Sequence, residues 1–268
     1  MKTVLHQLKW GNFNLIQGDM ISDFACTYGE WSEVEVAFFH DILTEQSNIV
    51  EVGANLGLHT IPLAKKANKG KLFCFEPQRI IFQLLCGNIT MNNLTNVYAY
   101  QQGVGREQSK CEIHSTNYNE SWNYGSFSLD KSFSTEQDYQ GEIETEQVDI
   151  ICLDKHQQIN QLDSLTLLKV DAEGFDLQVL QGAEKVIAKY QPIIFIEAHF
   201  YQAPVLIRYL NQLNYQCYWF ISDRYQTNNF FRQPKTLTGL DVNLACFPCK
   251  NNVGGGGGEY QVILLIYQ

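Results

Sequence analysis

The stretch Ile49-Val50-Glu51-Val52-Gly53-Ala54-Asn55-Leu56-Gly57 sets a carboxylate and two spaced glycines directly behind an apolar, β-forming run. Leu58 to Ala67 then reads as a helix. A strand, a tight glycine turn and a helix N-terminus are the parts of a nucleotide-type cofactor site. Glycine lets backbone N–H groups approach a ligand with no Cβ in the way. The pattern is E-x-G-x-N-x-G rather than G-x-G-x-x-G, so Asn55 fills a position that a pyrophosphate cradle would keep small. A ligand without a phosphate fits better, and S-adenosyl-L-methionine is the expectation. The alternative is a purely structural strand-to-helix turn.

Ligands of open α/β sheets bind beyond the carboxyl ends of the strands, so the residues that follow each strand belong to one inspection. Gly53, Ala54, Asn55 and Gly57, with Thr60 behind them, follow the first strand. Glu76, Pro77 and Gln78 follow the second, one βα unit on, where a carboxylate can accept from both hydroxyls of a ribose. Val104 and Gly105, after Gln102-Gly103, are small enough to admit a flat ring. Asp171-Ala172-Glu173-Gly174 and Glu197-Ala198-His199 close two later strands. Each of these acidic groups has a duller role open to it: Asp171 as a helix cap, Glu197 as an ion-pair partner, His199 as a satisfied buried imidazole. Their convergence on one crevice is harder to dismiss, since crowded carboxylates are costly unless a ligand or a proton is shared. Methyl transfer from a sulfonium needs that setting. Positioning alone can supply about 7–11 kcal/mol, and a hydroxyl or amide acceptor needs a base. Asp171, Glu173 and His199 are the expected catalytic groups, and Glu197 is expected on the acceptor side.

The elements that must position these residues alternate. Strands are expected over 49–52, 71–75, 97–101, 165–170, 192–198, 215–221 and 242–247, with helices over 31–43, 58–67, 78–91, 176–190 and 204–213. Such alternation implies a mostly parallel sheet covered by helices. Residues 1–30 look like a β-rich cap, and Ser32 a helix N-cap. Extra strands are expected over 111–115 and 146–153. The polar stretch 116–141 between them is too long for a structureless loop and reads as a lid or substrate-side insertion. Five glycines, Gly254 to Gly258, lead into an apolar tail that reads as an appended element outside the fold. The expected organisation is an N-terminal cap and helix over 1–45, a catalytic domain over 46–250, and a linker with tail over 251–268.

Composition narrows the function. With 268 residues, 45% hydrophobic and 18% charged, the chain can bury a sizeable core. A net charge of -10 and no Lys/Arg run argue against nucleic acid. No secretory leader and no apolar run of spanning length are visible, so no membrane and a cytoplasmic location are expected. The eight cysteines read mostly as buried thiols in a reducing compartment. Cys246-x-x-Cys249 lacks a second pair for zinc. The bet is against a catalytic metal, although Asp171 and Glu197 are hard oxygen ligands. The aromatics, 13% of the chain, suit core packing or an aromatic-lined acceptor pocket.

Five stretches together carry a family likeness: YGEWSEVE (Tyr28 to Glu35), IVEVGANLGLHTIPLA (Ile49 to Ala64), FEPQR (Phe75 to Arg79), LLKVDAEG (Leu167 to Gly174) and IIFIEAH (Ile193 to His199). In this order the chain resembles the FkbM-type methyltransferases of the class I, S-adenosylmethionine-dependent superfamily. The resemblance implies a Rossmann-like α/β fold, with a seven-stranded sheet and an antiparallel last strand. It implies cofactor contacts from Glu51, Gly53, Asn55, Gly57 and Glu76, with Asp171 and Glu173 in the active crevice. Trp31 and Ser32 resemble the family's segment that folds over the cofactor. Asn123, Tyr124, Gly125 and Ser126 resemble an acceptor-side element, and His199 departs from the Asn of many relatives. The leading reading is transfer of a methyl group to oxygen or nitrogen of a natural-product or saccharide acceptor. Alternatives are a peptide N-methyltransferase of a ribosomal peptide pathway, a non-catalytic cofactor-binding module and, less favoured, a nicotinamide oxidoreductase. A homodimer is a candidate assembly.

Overall fold

The computed structural model describes residues 1–116, 143–249 and 263–265. A hairpin of β1 (Thr3–Leu8) and β2 (Gly11–Ile16) opens the chain, followed by α1 (Met20–Tyr28) and α2 (Glu33–Ile42). Then come β3 (Ile49–Val52), α3 (Thr60–Lys66), β4 (Leu72–Phe75), α4 (Arg79–Met91), β5 (Val97–Tyr100) and β6 (Gly103–Val104). A second hairpin is formed by β7 (Ser109–Thr116) and β8 (Ile143–Ile151). The rest is α5 (Gln157–Asn160), β9 (Leu167–Val170), α6 (Asp176–Gln181), α7 (Glu184–Tyr190), β10 (Ile193–Glu197), α8 (Ala203–Gln212), β11 (Tyr215–Asp223), β12 (Leu240–Pro248) and β13 (Ile263–Leu265).

The main sheet has the order β13-β11-β12-β10-β9-β3-β4-β5. Strands β10, β9, β3, β4 and β5 are parallel, and β12 runs antiparallel between β10 and β11. With β3 as the first strand of this sheet, the chain crosses from β5 at one side to β9 at the other. That reversal puts a crevice between the carboxyl ends of β3 and β9. This is the expected Rossmann-like methyltransferase architecture.

Alternation along the strands divides the core. Val50, Phe73, Leu168, Ile194 and Ile196 pack with Val179, Leu180, Val186 and Leu206 of α6 to α8 on one face. Ile49, Cys74, Leu167 and Phe195 pack with Phe38, Phe39, Leu63, Ala64 and Leu85 of α2 to α4 on the other. Phe38 and Phe39 lie at helical spacing from the Val34 that opens this stripe.

Several expectations change. The N-terminal cap is half helical: Asp19 accepts from the Ser22 N–H to start α1, and Gly29, at φ 77, ends it. The expected helix over 176–190 is broken, because the Gly182 backbone packs on Gly105. A Cβ there would meet the Gly105 carbonyl oxygen at 2.0 Å. The tail is not wholly outside the fold: Ile263–Leu265 pairs in parallel with Tyr218–Phe220. An apolar, β-prone segment meets an otherwise open strand edge there. Cys74, Cys152, Cys217 and Cys246 are buried, whereas Cys249 is exposed. Among the described residues, no helix is long and apolar enough to cross a membrane.

Candidate functional site

The glycine turn is shaped by three left-handed residues, Gly53 (φ 79), Asn55 (φ 50) and Gly57 (φ 88). Gly53 is irreplaceable on steric grounds, since a Cβ would lie 1.8 Å from the Asp171 carbonyl oxygen. The turns after β3 and β9 therefore touch backbone to backbone. Asn55 tolerates its conformation better than most side chains. Its Oδ1 accepts from the Leu56 N–H at 2.7 Å.

Glu76 ties this turn to the next. It accepts from the Asn55 N–H at 3.0 Å and from the Gln78 N–H at 2.9 Å. Burial pushes its carboxyl up to about 7, against the pull of those two N–H groups. Gly53, Asn55, Glu76, Pro77, Gln78 and Asp171 line one cavity of about 630 Å³, with Ile21, Val52, Phe75, Gln102, Gly103, Val104, Ala172 and Glu173. Its walls join an apolar slot to one buried carboxylate.

Other residues of the expected cofactor set lie elsewhere. Glu51 is fully buried beneath the turn, where its Oε2 accepts from Thr60 Oγ1 at 2.6 Å. Ala54 packs in the core, and Gly57 turns the chain against Leu85. Gly105 backs onto Phe175 and Ile150. Trp31 and Ser32 line a second cavity instead. Ser32 sits at the N-cap position of α2 without capping it, and its hydroxyl donates to Asp241. Asn123, Tyr124, Gly125, Ser126 and the 116–141 insertion, beyond Thr116 itself, lie outside the described residues.

The second cavity, about 800 Å³, opens on the other side of Asp171 and Glu173. Glu197 at the end of β10 and His199 just beyond it line the second. One ligand atom from each of Glu173, Glu197 and His199 falls within 4.8 Å of the others, close enough to surround a cation. Glu173 is a non-glycine residue in the left-handed region, at φ 47, a strained conformation of the kind found at working sites. Asp176 holds that turn by accepting from the Ala172 and Gly174 N–H groups, each at 3.0 Å.

Burial, reinforced by neighbouring carboxylates, pushes the carboxyls of Glu173 and Glu197 well above the usual range. Although a quarter of the Glu197 side chain is exposed, its Oε2 is covered. Both groups therefore take up a proton more readily than an exposed carboxyl does. Burial lowers His199, against the pull of Asp171, so its imidazole is neutral and can accept.

Six polar residues that sequence reasoning missed complete the cavity: Glu35, His59, Lys169, Arg224, Asp241 and Asn243. Glu35 accepts from Asn243 Nδ2 at 2.8 Å and lies 3.6 Å from His59 Nε2. Burial raises Glu35 and lowers His59 far from their usual ranges. Burial alone would lower Lys169 too, but Asp171, Glu51, Glu35 and Glu197 together hold it above the usual lysine range. Arg224 donates from Nε to Asp241 Oδ1 at 2.6 Å and lies over the Trp31 ring at 5.1 Å. A signal for two of the six was present: Lys169 interrupts an apolar strand, and Glu35 stands one helical turn before Phe38 and Phe39. Arg224, Asp241 and Asn243 carry no local signal, since only tertiary folding brings them in.

A model of the methyltransferase FkbM domain matches residues 51–217. Methyltransferase 1 of Beauveria bassiana is 28% identical over 185 residues, covering 62% of this chain and 74% of that protein. Methyltransferase sdnD of Sordaria araneosa is 26% identical over 198 residues, covering 64% and 76%. The crystal structure of methyltransferase FkbM from Methylobacillus flagellatus KT aligns with a TM-score of 0.48 at 17% identity. That alignment covers 79% of this chain and 50% of that one.

Proposed function

We propose that this chain, which belongs to the FkbM methyltransferase family, takes S-adenosyl-L-methionine as donor and methylates an oxygen or nitrogen of a natural-product or saccharide acceptor. The observation that carries the donor assignment is the first cavity. Only Gly53 fits where the turns after β3 and β9 touch, and a single buried carboxylate, Glu76, faces an apolar slot walled by Phe75, Val104 and Ile21. That donor set suits a ribose beside a flat ring and offers no cation to a diphosphate.

Bound there, S-adenosylmethionine would supply an electrophilic methyl group on a sulfonium. Glu76 would hold the ribose hydroxyls and Gly53 and Asn55 would shape the turn. Asp171 and Glu173, shared by both cavities, would orient donor and acceptor. Glu173 and Glu197 serve as hydrogen-bond donors to the acceptor, and Asp171 or the neutral His199 takes the proton it sheds. Trp31 and Ser32 cover the crevice from the N-terminal side.

Calorimetry with S-adenosylmethionine and with NAD tests the donor: binding of the first and not the second is expected, and the reverse result would end this reading. Mass spectrometry of candidate hydroxyl, amine and peptide acceptors after incubation with the donor tests the rest. A peptide product would favour the second reading.

A further inference from the structure

Lys169 is the odd residue of an apolar layer. Its strand, Leu167-Leu168-Lys169-Val170, is buried throughout, and in the sheet it stands in register between Glu51 and Phe195. Phe38, Phe39, Phe195 and Phe220 pack on that face. The side chain is 4% exposed and reaches the wall of the second cavity. There Nζ lies 3.7 Å from Glu51 Oε1 and 3.7 Å from Asp171 Oδ2. Both are ion-pair distances rather than hydrogen bonds. Glu51 is itself braced by Thr60, and Asp171 lies close enough to Glu197 to push its carboxyl up.

Stability does not account for a lysine at this position. The attraction of a buried ion pair roughly repays the hydration its charges lose, and an apolar pair of similar volume is often as stable. What the arrangement adds is direction. Thr60 fixes Glu51, Glu51 faces the ammonium, and the ammonium faces Asp171, one of the two carboxylates that border both cavities.

We propose that Lys169 is a positioning residue, whose ammonium, braced by Glu51, fixes the carboxylate of Asp171 at the junction of the two cavities. Its first test rests on the S-adenosylmethionine reading, and its second does not.

Lys169→Met alone leaves Glu51 and Asp171 without their cation, so the comparison is made in a Glu51→Gln background. With Asp171 intact, Lys169→Met is expected to weaken S-adenosylmethionine binding by about tenfold or more. With Asp171→Asn already present, the loss is expected to shrink to about twofold or less, because a residue acting through Asp171 has nothing left to act on. Lys169→Arg keeps the charge and retains most of the affinity. Equal losses with and without Asp171→Asn, read by calorimetry, overturn the proposal.

The second test is a ligand-free crystal structure of the Glu51→Gln/Lys169→Met variant. The Asp171 carboxylate is expected to leave the position it takes beside Glu197. A carboxylate found unmoved overturns the proposal. Failure of the parent protein to bind S-adenosylmethionine counts against the proposed function, and the crystal structure still decides the role of Lys169.

Discussion

The two cavities share Ile21, Asp171 and Glu173 but are built in different ways. The first is largely backbone: glycine turns, N–H groups turned to Glu76, and strand ends supplied by consecutive βα units. The second is largely side chain, assembled from α1 and α2, the ends of β9 and β10, and the distant pair β11 and β12. Main-chain geometry leaves little freedom, so the proposed donor would sit on a turn that tolerates few substitutions. Side chains gathered from distant segments can change one at a time, which suits a face that meets diverse acceptors.

The largest effect should come from the backbone side. Gly53→Ala forces a Cβ into the Asp171 carbonyl at a left-handed position. It is expected to cost more than about 2 kcal/mol of stability and to abolish donor binding. Denaturant melts and calorimetry check it, and a stable variant with parental affinity would show that the two turns can separate. Glu76→Ala should follow, weakening S-adenosylmethionine by about 1.5–3 kcal/mol. An unchanged Kd would remove Glu76 from the donor site.

The pH dependence sharpens the same side. A carboxyl raised to about 7 holds its proton more tightly folded than unfolded. Its contribution to stability is therefore present at low pH and lost as pH rises through 7. Ribose hydroxyls donate to the ionised form, so donor affinity should rise between pH 6 and pH 8, by about tenfold at most. Glu76→Gln should flatten that rise.

On the side-chain cavity the expected effects are smaller. Arg224→Ala frees Asp241 and uncovers Trp31, at about 1 kcal/mol of stability, with donor Kd unchanged and acceptor KM raised. A weakened donor and an untouched acceptor would invert the division drawn between the cavities. The smallest effect is expected from metal removal. Turnover after dialysis against a chelator should match the untreated enzyme, and its loss would make Glu173, Glu197 and His199 ligands instead of proton carriers.

How legible each cavity was in the sequence follows the same division. Gly53, Asn55, Glu76 and Asp171 stand at strand ends in a pattern readable from local residue types, and the family likeness they carry holds. The mostly parallel sheet followed from the alternation of elements, and its antiparallel strand only from the family likeness. Glu51 and Thr60 were read as ligand contacts, and the structure puts them below the turn, where Glu51 accepts from Thr60 and faces Lys169. Nothing in a linear pattern separates a polar residue beside a ligand from one a layer beneath it. The break at Gly182 was invisible because it depends on Gly105, far away in the chain. Arg224 and Asp241 lay in a segment with no periodicity, and only their partners Ser32 and Trp31 give them a place.

Those partners set an order of assembly. Tyr28 accepts from the N–H groups of Thr236 and Leu237, Glu30 from that of Phe230, and Ser32 donates to Asp241, across separations of 200 to 209 residues. Contacts of such long range close only after the intervening sheet has formed, because the entropy of bringing distant segments together must be met first. The roof of the crevice is thus the last piece to assemble on refolding and the first to peel away on warming. Amide hydrogen exchange should find the Phe230, Thr236 and Leu237 protons released well before those of β3 and β9, so that ligands can enter while the sheet stays intact.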